Sequence, residues 1–190
     1  MTVEEIFSEI SAHMIKGLMT HTQLADYYDF LGLEGYKRCH EYHALQETCN
    51  YRGINRYFIN HYDRLIPEKE VEDPQMIPDS WYNHVRQDVD NNTKRNAVKT
   101  ALDNWVRWEK DTKDLYQRMY QELLEIGEVA GAFKVKELIC DVDKELKKAQ
   151  RYQLNKMMTE YNLSDIVAEQ KSKHKKYNDK LVNEIGVHIC

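Results

Sequence analysis

All three prolines of this 190-residue chain, Pro67, Pro74 and Pro78, fall in one short stretch. Proline lacks a backbone donor and clashes with the preceding helical turn, so helix interiors exclude it. Its absence elsewhere leaves two long tracts free to be helical. Glycine, the other poor helix former, is also scarce, with 7 residues. A hydrophobic content of 42% beside 31% charged residues is that of a packed chain, not a disordered one. The length suffices for one domain with a real core, so residues 1–190 are expected to form a single all-α domain.

Residues 2–31 read as an amphipathic helix. Thr2 can cap it, and Glu4 and Glu5 favour its first turn. Ile10, Met14, Gly17, His21, Leu24, Tyr28 and Leu31 alternate at spacings of four and three, the mark of a bundle seam. "GLEG" at 32–35 breaks the helix and predicts a tight turn to an antiparallel neighbour over 34–63. The apolar residues of that second helix gather towards its end, at Ile54, Tyr57, Phe58 and Leu65. Residues 67–92 hold the prolines and have no helical period. They predict a crossover joining parallel helices, with a short helix after Pro78 packing through Trp81 and Val85.

A third helix is expected over 93–126. Val98, Leu102, Trp105, Glu109, Thr112, Tyr116, Met119, Leu123 and Ile126 make one stripe, with Glu109 its charged exception. A fourth is expected over 132–161, with Phe133, Ile139, Leu146, Gln153 and Met157 near one face and Asp143 beside it. A fifth, over 164–184, would be capped by Ser164. Two long helices, a crossover, two more and a terminal helix make the up-down-crossover plan of a four-helix bundle with an addition.

The net charge of -5 gives no reason to expect nucleic acid or an anionic membrane as partner. No apolar run would span a bilayer, and "MTVEEIFSEI" is acidic where a signal peptide would be basic. A cytoplasmic protein is expected. Cys39, Cys49, Cys140 and Cys190 are scattered, without a CxxC pair, and are expected to be free thiols. The basic run "KSKHKKY" at 171–177 reads as a solvated face of the last helix.

The chemistry-bearing positions lie where apolar ones should be. In "YKRCHEYHALQETCN" the second helix presents Tyr36, His40, His43, Glu47 and Asn50 on successive turns. This is either a wet face or a polar centre in the core. His43 and Glu47, four apart, share a face and can hold one ion or one hydrogen bond. Glu109, between Trp105 and Tyr116, is costly to bury unless paired or bound to a metal; equally, the helix can be turned so that Trp108, Leu115 and Met119 form the seam and Glu109 lies at its edge. His21, on the first seam, is either a satisfied core histidine or a ligand. Alternatively these groups form a hydrogen-bonded layer that fixes helix register.

Two stretches resemble the ferritin-like superfamily. "GLEGYKRCHEYHALQETCN" is similar to the turn and helix that carry the family's Glu-x-x-His motif, with the Glu on Glu47 and the His on Asn50. "ALDNWVRWEKDTKDLYQRMYQELLE" resembles its third helix, with the bridging Glu on Glu109 in Trp108-Glu109-Lys110. The resemblance spans about residues 3–160. The first-helix ligand falls near Met14 and the following Tyr on His21; the fourth-helix acidic ligand falls about Asp143-Lys144. Glu47 and Glu109 therefore match, while Met14 and Asn50 do not.

The resemblance implies a ferritin-like bundle with a divergent metal site drawn from His21, His43, Glu47, Glu109 and Asp143. It implies iron as the metal, bound and oxidised by oxygen, with zinc or manganese as lesser alternatives. The competing expectation is a scaffold or assembly protein whose polar layer binds no metal. A homo-oligomer is expected, with dimer and shell both open.

Overall fold

The computed structural model describes the backbone of residues 1–187 and the side chains of residues 1–183. Its long helices are α1 (Val3–Phe30), α2 (Glu34–Tyr62), α3 (Asn91–Glu125), α4 (Val129–Met158) and α5 (Leu163–Val187). Two 3-10 turns, Asp79–Asn83 and Arg86–Asp88, interrupt the crossover. The all-α plan and the expected order of elements are found.

Local chemistry sets the helix ends. The Thr2 hydroxyl accepts from the Glu5 amide while the Glu5 side chain accepts from the Thr2 amide, a reciprocal cap on α1. Asp90 caps α3 by accepting from the Thr93 amide. Gly32 and Gly127 adopt φ of 73° and 78°, the left-handed region that lets α1 and α3 close on their last carbonyls. At α5 the cap is Asn162, whose side-chain oxygen accepts from the Ser164 amide. The expected cap, Ser164, is therefore the donor's residue and lies inside the helix.

The crossover runs beside α1 from its start to its end. Ser8 Oγ donates to the Pro67 carbonyl, Gln23 holds Asp73 and the Met76 amide, and Arg86 donates to the Asp29 carbonyl. The chain thus returns to the end at which α2 began, so α2 and α3 run parallel. Trp81 packs edge-on against Tyr27 and Phe30, as a packing residue should. Val85 is 54% exposed and does not share that role; Leu65, past the end of α2, is also exposed.

The α1 seam and the α3 stripe are buried as read, except for Ile126 at the α3 terminus. The face of α4 is turned from the expected one. Ala132, Val135, Leu138, Val142, Leu146 and Ala149 face the core, while Phe133 and Met157 are exposed. Cys39 and Cys140 are free thiols. Cys49 is not, which corrects the expectation for it, and Cys190 lies outside the described residues.

Helix α5 packs on α2. The backbone carbonyl of Gln170 approaches Gly35 so closely that a β-carbon there would stand 1.9 Å from its oxygen. The Gly35 amide donates to the Gln170 side chain. The basic run is only partly solvated: Lys173 and Tyr177 are buried. Glu169 of α5 is paired with Lys156 of α4 and, at 3.2 Å, with Lys173; Tyr36 of α2 donates to it at 3.2 Å. Burial alone would raise the Glu169 carboxyl, but the two lysines outweigh it and hold the group below its ordinary value. Burial pushes Lys173 down to about 8.

Candidate functional site

The centre of the bundle contains a polar chamber of about 260 Å³. His21 reaches it from α1, His43 and Glu47 from α2, Glu109 and Tyr116 from α3, and Glu145 from α4. Gly17 makes room for it. A β-carbon at Gly17 would stand 3.0 Å from Glu47 Cδ and 3.3 Å from its Oε2, so the Glu47 carboxylate lies across the missing side chain.

The innermost part is a chain of buried rings. His21 and His40 meet through their Nδ1 atoms at 3.1 Å. His40 Nε2 is buried and has no hydrogen-bond partner among the described residues. An unpaired acceptor is less costly there than an unpaired donor, which assigns the His40 proton to Nδ1, donating to His21 Nδ1. His21 then carries its proton on Nε2, which faces Glu109 Oε1 at 3.8 Å. The indole of Trp105 donates to the same oxygen at 2.8 Å. Burial drives the imidazole of His21 down to about 3 and pushes that of His40 far below its ordinary range, so both are neutral.

The two matched carboxylates behave alike. Glu109 is raised to about 8, first by burial and then by the Glu47 and Glu145 carboxylates, with the Trp105 hydrogen bond and Lys148 pulling the other way. Glu47 is raised to about 7, first by burial and then by Glu145, with the Asn50 amide pulling the other way. Tyr116 sits between these acids and is held far above the ordinary phenol range by burial, then by Glu47 and Glu109. On the α4 side the Lys148 ammonium donates to His43 Nε2 at 2.8 Å and to Glu145 at 2.9 Å.

Of the five expected site residues, the structure brings four to this chamber: His21, His43, Glu47 and Glu109. Asp143 is elsewhere. It pairs with Lys113 at 2.6 Å and Lys147 at 2.5 Å on the partly exposed side of α4, and these lysines lower it to about 2. Asn50 borders the chamber but is exposed. Sequence reading missed Glu145 and Lys148 and left His40 out of the site. Their signal was the spacing of the true α4 face, since Glu145 and Lys148 flank Val142, Leu146 and Ala149.

A wider groove between α1 and the crossover is lined by Glu9, His13, Lys16 and Glu72. Of its charges, Lys16 is paired with Glu72 and Lys69 with Glu9, leaving Glu70 outside these pairs. His13 is packed flat against Trp108 and donates to Thr112. The groove offers no convergent set.

His21 Nε2 and Glu109 Oε1 face a common space, with Glu47 as a further carboxylate on its wall. Among the described residues, no three His, Cys, Asp or Glu side chains are gathered closely enough to hold a metal as they stand. Also among these residues, no helix is long and apolar enough to cross a membrane.

No protein-family profile matches the chain, and no curated protein matches its sequence. Twelve chains of solved structures match its fold. One is a humanized archaeal ferritin, at a TM-score of 0.74 and 12% identity, covering 90% of this chain and 94% of that one. Such low identity carries the fold and not the chemistry. The architecture of this chain is that of a ferritin-like four-helix bundle with a fifth, C-terminal helix.

Proposed function

We propose that the chamber binds one divalent transition metal ion, iron first, through His21, Glu109 and Glu47. The observation that carries this is the balance of charge. Glu47, Glu109 and Glu145 line the chamber with Asp141 and Lys144, which pair with each other at 2.7 Å, and Lys148 is hydrogen-bonded into it. Ionised, the acids exceed the bases by two charges. Burial of such an excess is expensive. Two protons or one divalent cation would neutralise it, and the neutral imidazole of His21 is a suitable nitrogen donor. The chain's own groups bind and orient: Trp105 fixes one oxygen of Glu109, and with a metal on His21 Nε2 that ring's proton would move to Nδ1, where it donates to His40 Nδ1, the reverse of the metal-free arrangement. A ferrous ion held there would supply one-electron chemistry towards oxygen, as the fold resemblance suggests. Zinc and manganese are the alternatives for the same donors. Assembly into a homo-oligomer is part of this proposal, supported by the likeness to a ferritin.

The test is anaerobic titration of the purified protein with Fe(II), with total metal analysis, followed by admission of air. One equivalent should bind to the unaltered protein, and Glu109→Ala and Glu47→Ala should each lose it. Unchanged binding and oxidation in both variants would sink the reading. A second reading, a metal-free polar layer in a scaffold, is favoured by the absence of a gathered three-donor set among the described residues. It predicts no binding in any of the three proteins.

A further inference from the structure

The chamber contains two histidine–carboxylate pairs, not one. His21 Nε2 and Glu109 Oε1 are 3.8 Å apart; His43 Nε2 and Glu145 Oε2 are 3.5 Å apart. Two ligands each about 2.1 Å from a metal can be separated by at most about 4.2 Å, so both pairs are narrow enough to share an ion. They differ in what stands between them. Among the described residues, no side-chain cation is hydrogen-bonded to the first pair, whereas the Lys148 ammonium touches both members of the second, at 2.8 Å and 2.9 Å.

We propose that Lys148 is a tethered cation that fills the His43–Glu145 pair and thereby excludes a metal ion from it. Lys148 is anchored for this task. Its ammonium lies 5.3 Å from the ring centre of Tyr177 on α5 and 6.0 Å from that of Trp105 on α3, and Glu145 lies one turn before it on α4. The ammonium satisfies His43 Nε2, which would otherwise be an acceptor buried without a donor. A flexible tether of this kind competes with a free ion at high effective concentration. The consequence is a chamber limited to one added ion, although its donors would serve two. The count of one in the unaltered protein rests on the function proposed above; the occupation of the second pair does not.

The experiment is equilibrium dialysis against Zn(II) alone, a diamagnetic ion, with histidine ring resonances followed by NMR, on the unaltered protein, Lys148→Met and Lys148→Gln. Met keeps the apolar stem and Gln a polar tip, so folding, checked by circular dichroism, should survive in at least one. The expected result is one additional equivalent in the Lys148 variants, with the His43 resonances perturbed only there. The added equivalent should vanish in a His43→Ala, Lys148→Met double variant. A rise from one to two supports both proposals. A rise from none to one, at His43, supports the tethered cation and rejects metal binding at His21 and Glu109. Equal stoichiometry in unaltered protein and folded variants, whether one or none, overturns the tethered cation.

Discussion

The molecule buries charge at two places, and the two are opposite in sign. Where α5 meets α2 and α4, two lysines enclose one glutamate. In the chamber, three glutamates face one lysine. In the first, Lys156 and Lys173 pull Glu169 below its ordinary pKa in spite of burial. In the second, burial and mutual repulsion raise Glu47 and Glu109. A carboxylate whose ionised form the protein stabilises contributes to holding the fold. One whose ionised form the protein disfavours is a liability to the metal-free fold, and is explained if something else binds there.

The sharpest way to break the comparison is to remove one carboxylate from each place. Glu169→Ala leaves Lys156 and Lys173 buried without their anion; their side chains are only 5% and 4% exposed. Breaking a buried pair from one side costs about 3–5 kcal/mol. Denaturant unfolding should show a loss of that size. If stability changes by less than about 1 kcal/mol, the α5 contact behaves like a surface ion pair and the contrast fails.

Next in size is Gly35→Ala, which tests the same contact without touching charge. The new β-carbon would meet backbone, the Gln170 carbonyl at 1.9 Å, and not a side chain that can swing away. Overpacking of this kind costs about 1–3 kcal/mol. Faster proteolysis within α5, with the rest of the bundle protected, is the expected readout. Equal cleavage rates would mean that α5 is not held at this crossing.

Glu109→Gln probes the chamber in the opposite sense. A carboxyl raised from 4.5 to about 8 on folding is protonated in the folded state while already ionised in the unfolded one. Folded protein then binds more protons across that interval, so its stability falls as pH rises from 4.5 to about 8 and stays reduced above. Glutamine keeps an oxygen for the Trp105 indole and carries no charge. The variant should therefore be more stable than the parent at pH 9, by at least about 1.4 kcal/mol, the value of a single tenfold change in proton affinity. Its pH profile should be flatter over the same interval. Measurements need a chelator present, because a bound cation would reverse the order. A variant that is less stable at pH 9 would show that the ionised Glu109 is already well compensated.

The fold was legible because the α1 and α3 stripes are regular. Ile10 to Leu31 and Val98 to Leu123 keep one phase over many turns, and both breaks, Gly32 and Gly127, sit where a left-handed residue is required. The chamber was legible in part for the same reason: Glu109 and His21 interrupt apolar rows and so announce themselves. Helix α4 was harder. Each residue turns the helix by about 100°, so reading its core face through Phe133 and Ile139 instead of Ala132, Val135 and Leu138 turned it by about a quarter of a circle. That displacement drew attention to Asp143 and away from Glu145 and Lys148. On α5 a charged run looked wet because sequence cannot show that Lys156 of α4 and Tyr36 of α2 close over the Glu169–Lys173 pair.

The smallest expected effect separates the chamber's stability from its binding. Gly17→Ala exchanges a poor helix residue for a good one in the interior of α1, worth about 0.5–1 kcal/mol in favour of the variant. The new methyl would meet the end of the Glu47 side chain at 3.0–3.3 Å, a contact the flexible carboxylate can relieve by turning aside. Stability should hence stay within about 1 kcal/mol of the parent or rise slightly. Metal affinity should fall, because the displaced group is one of the proposed ligands and the helix propensity of alanine cannot restore it. In Fe(II) titrations Gly17→Ala should resemble Glu47→Ala more closely than it resembles the parent. If it binds as the parent does, the space at Gly17 does not position the Glu47 carboxylate for metal binding.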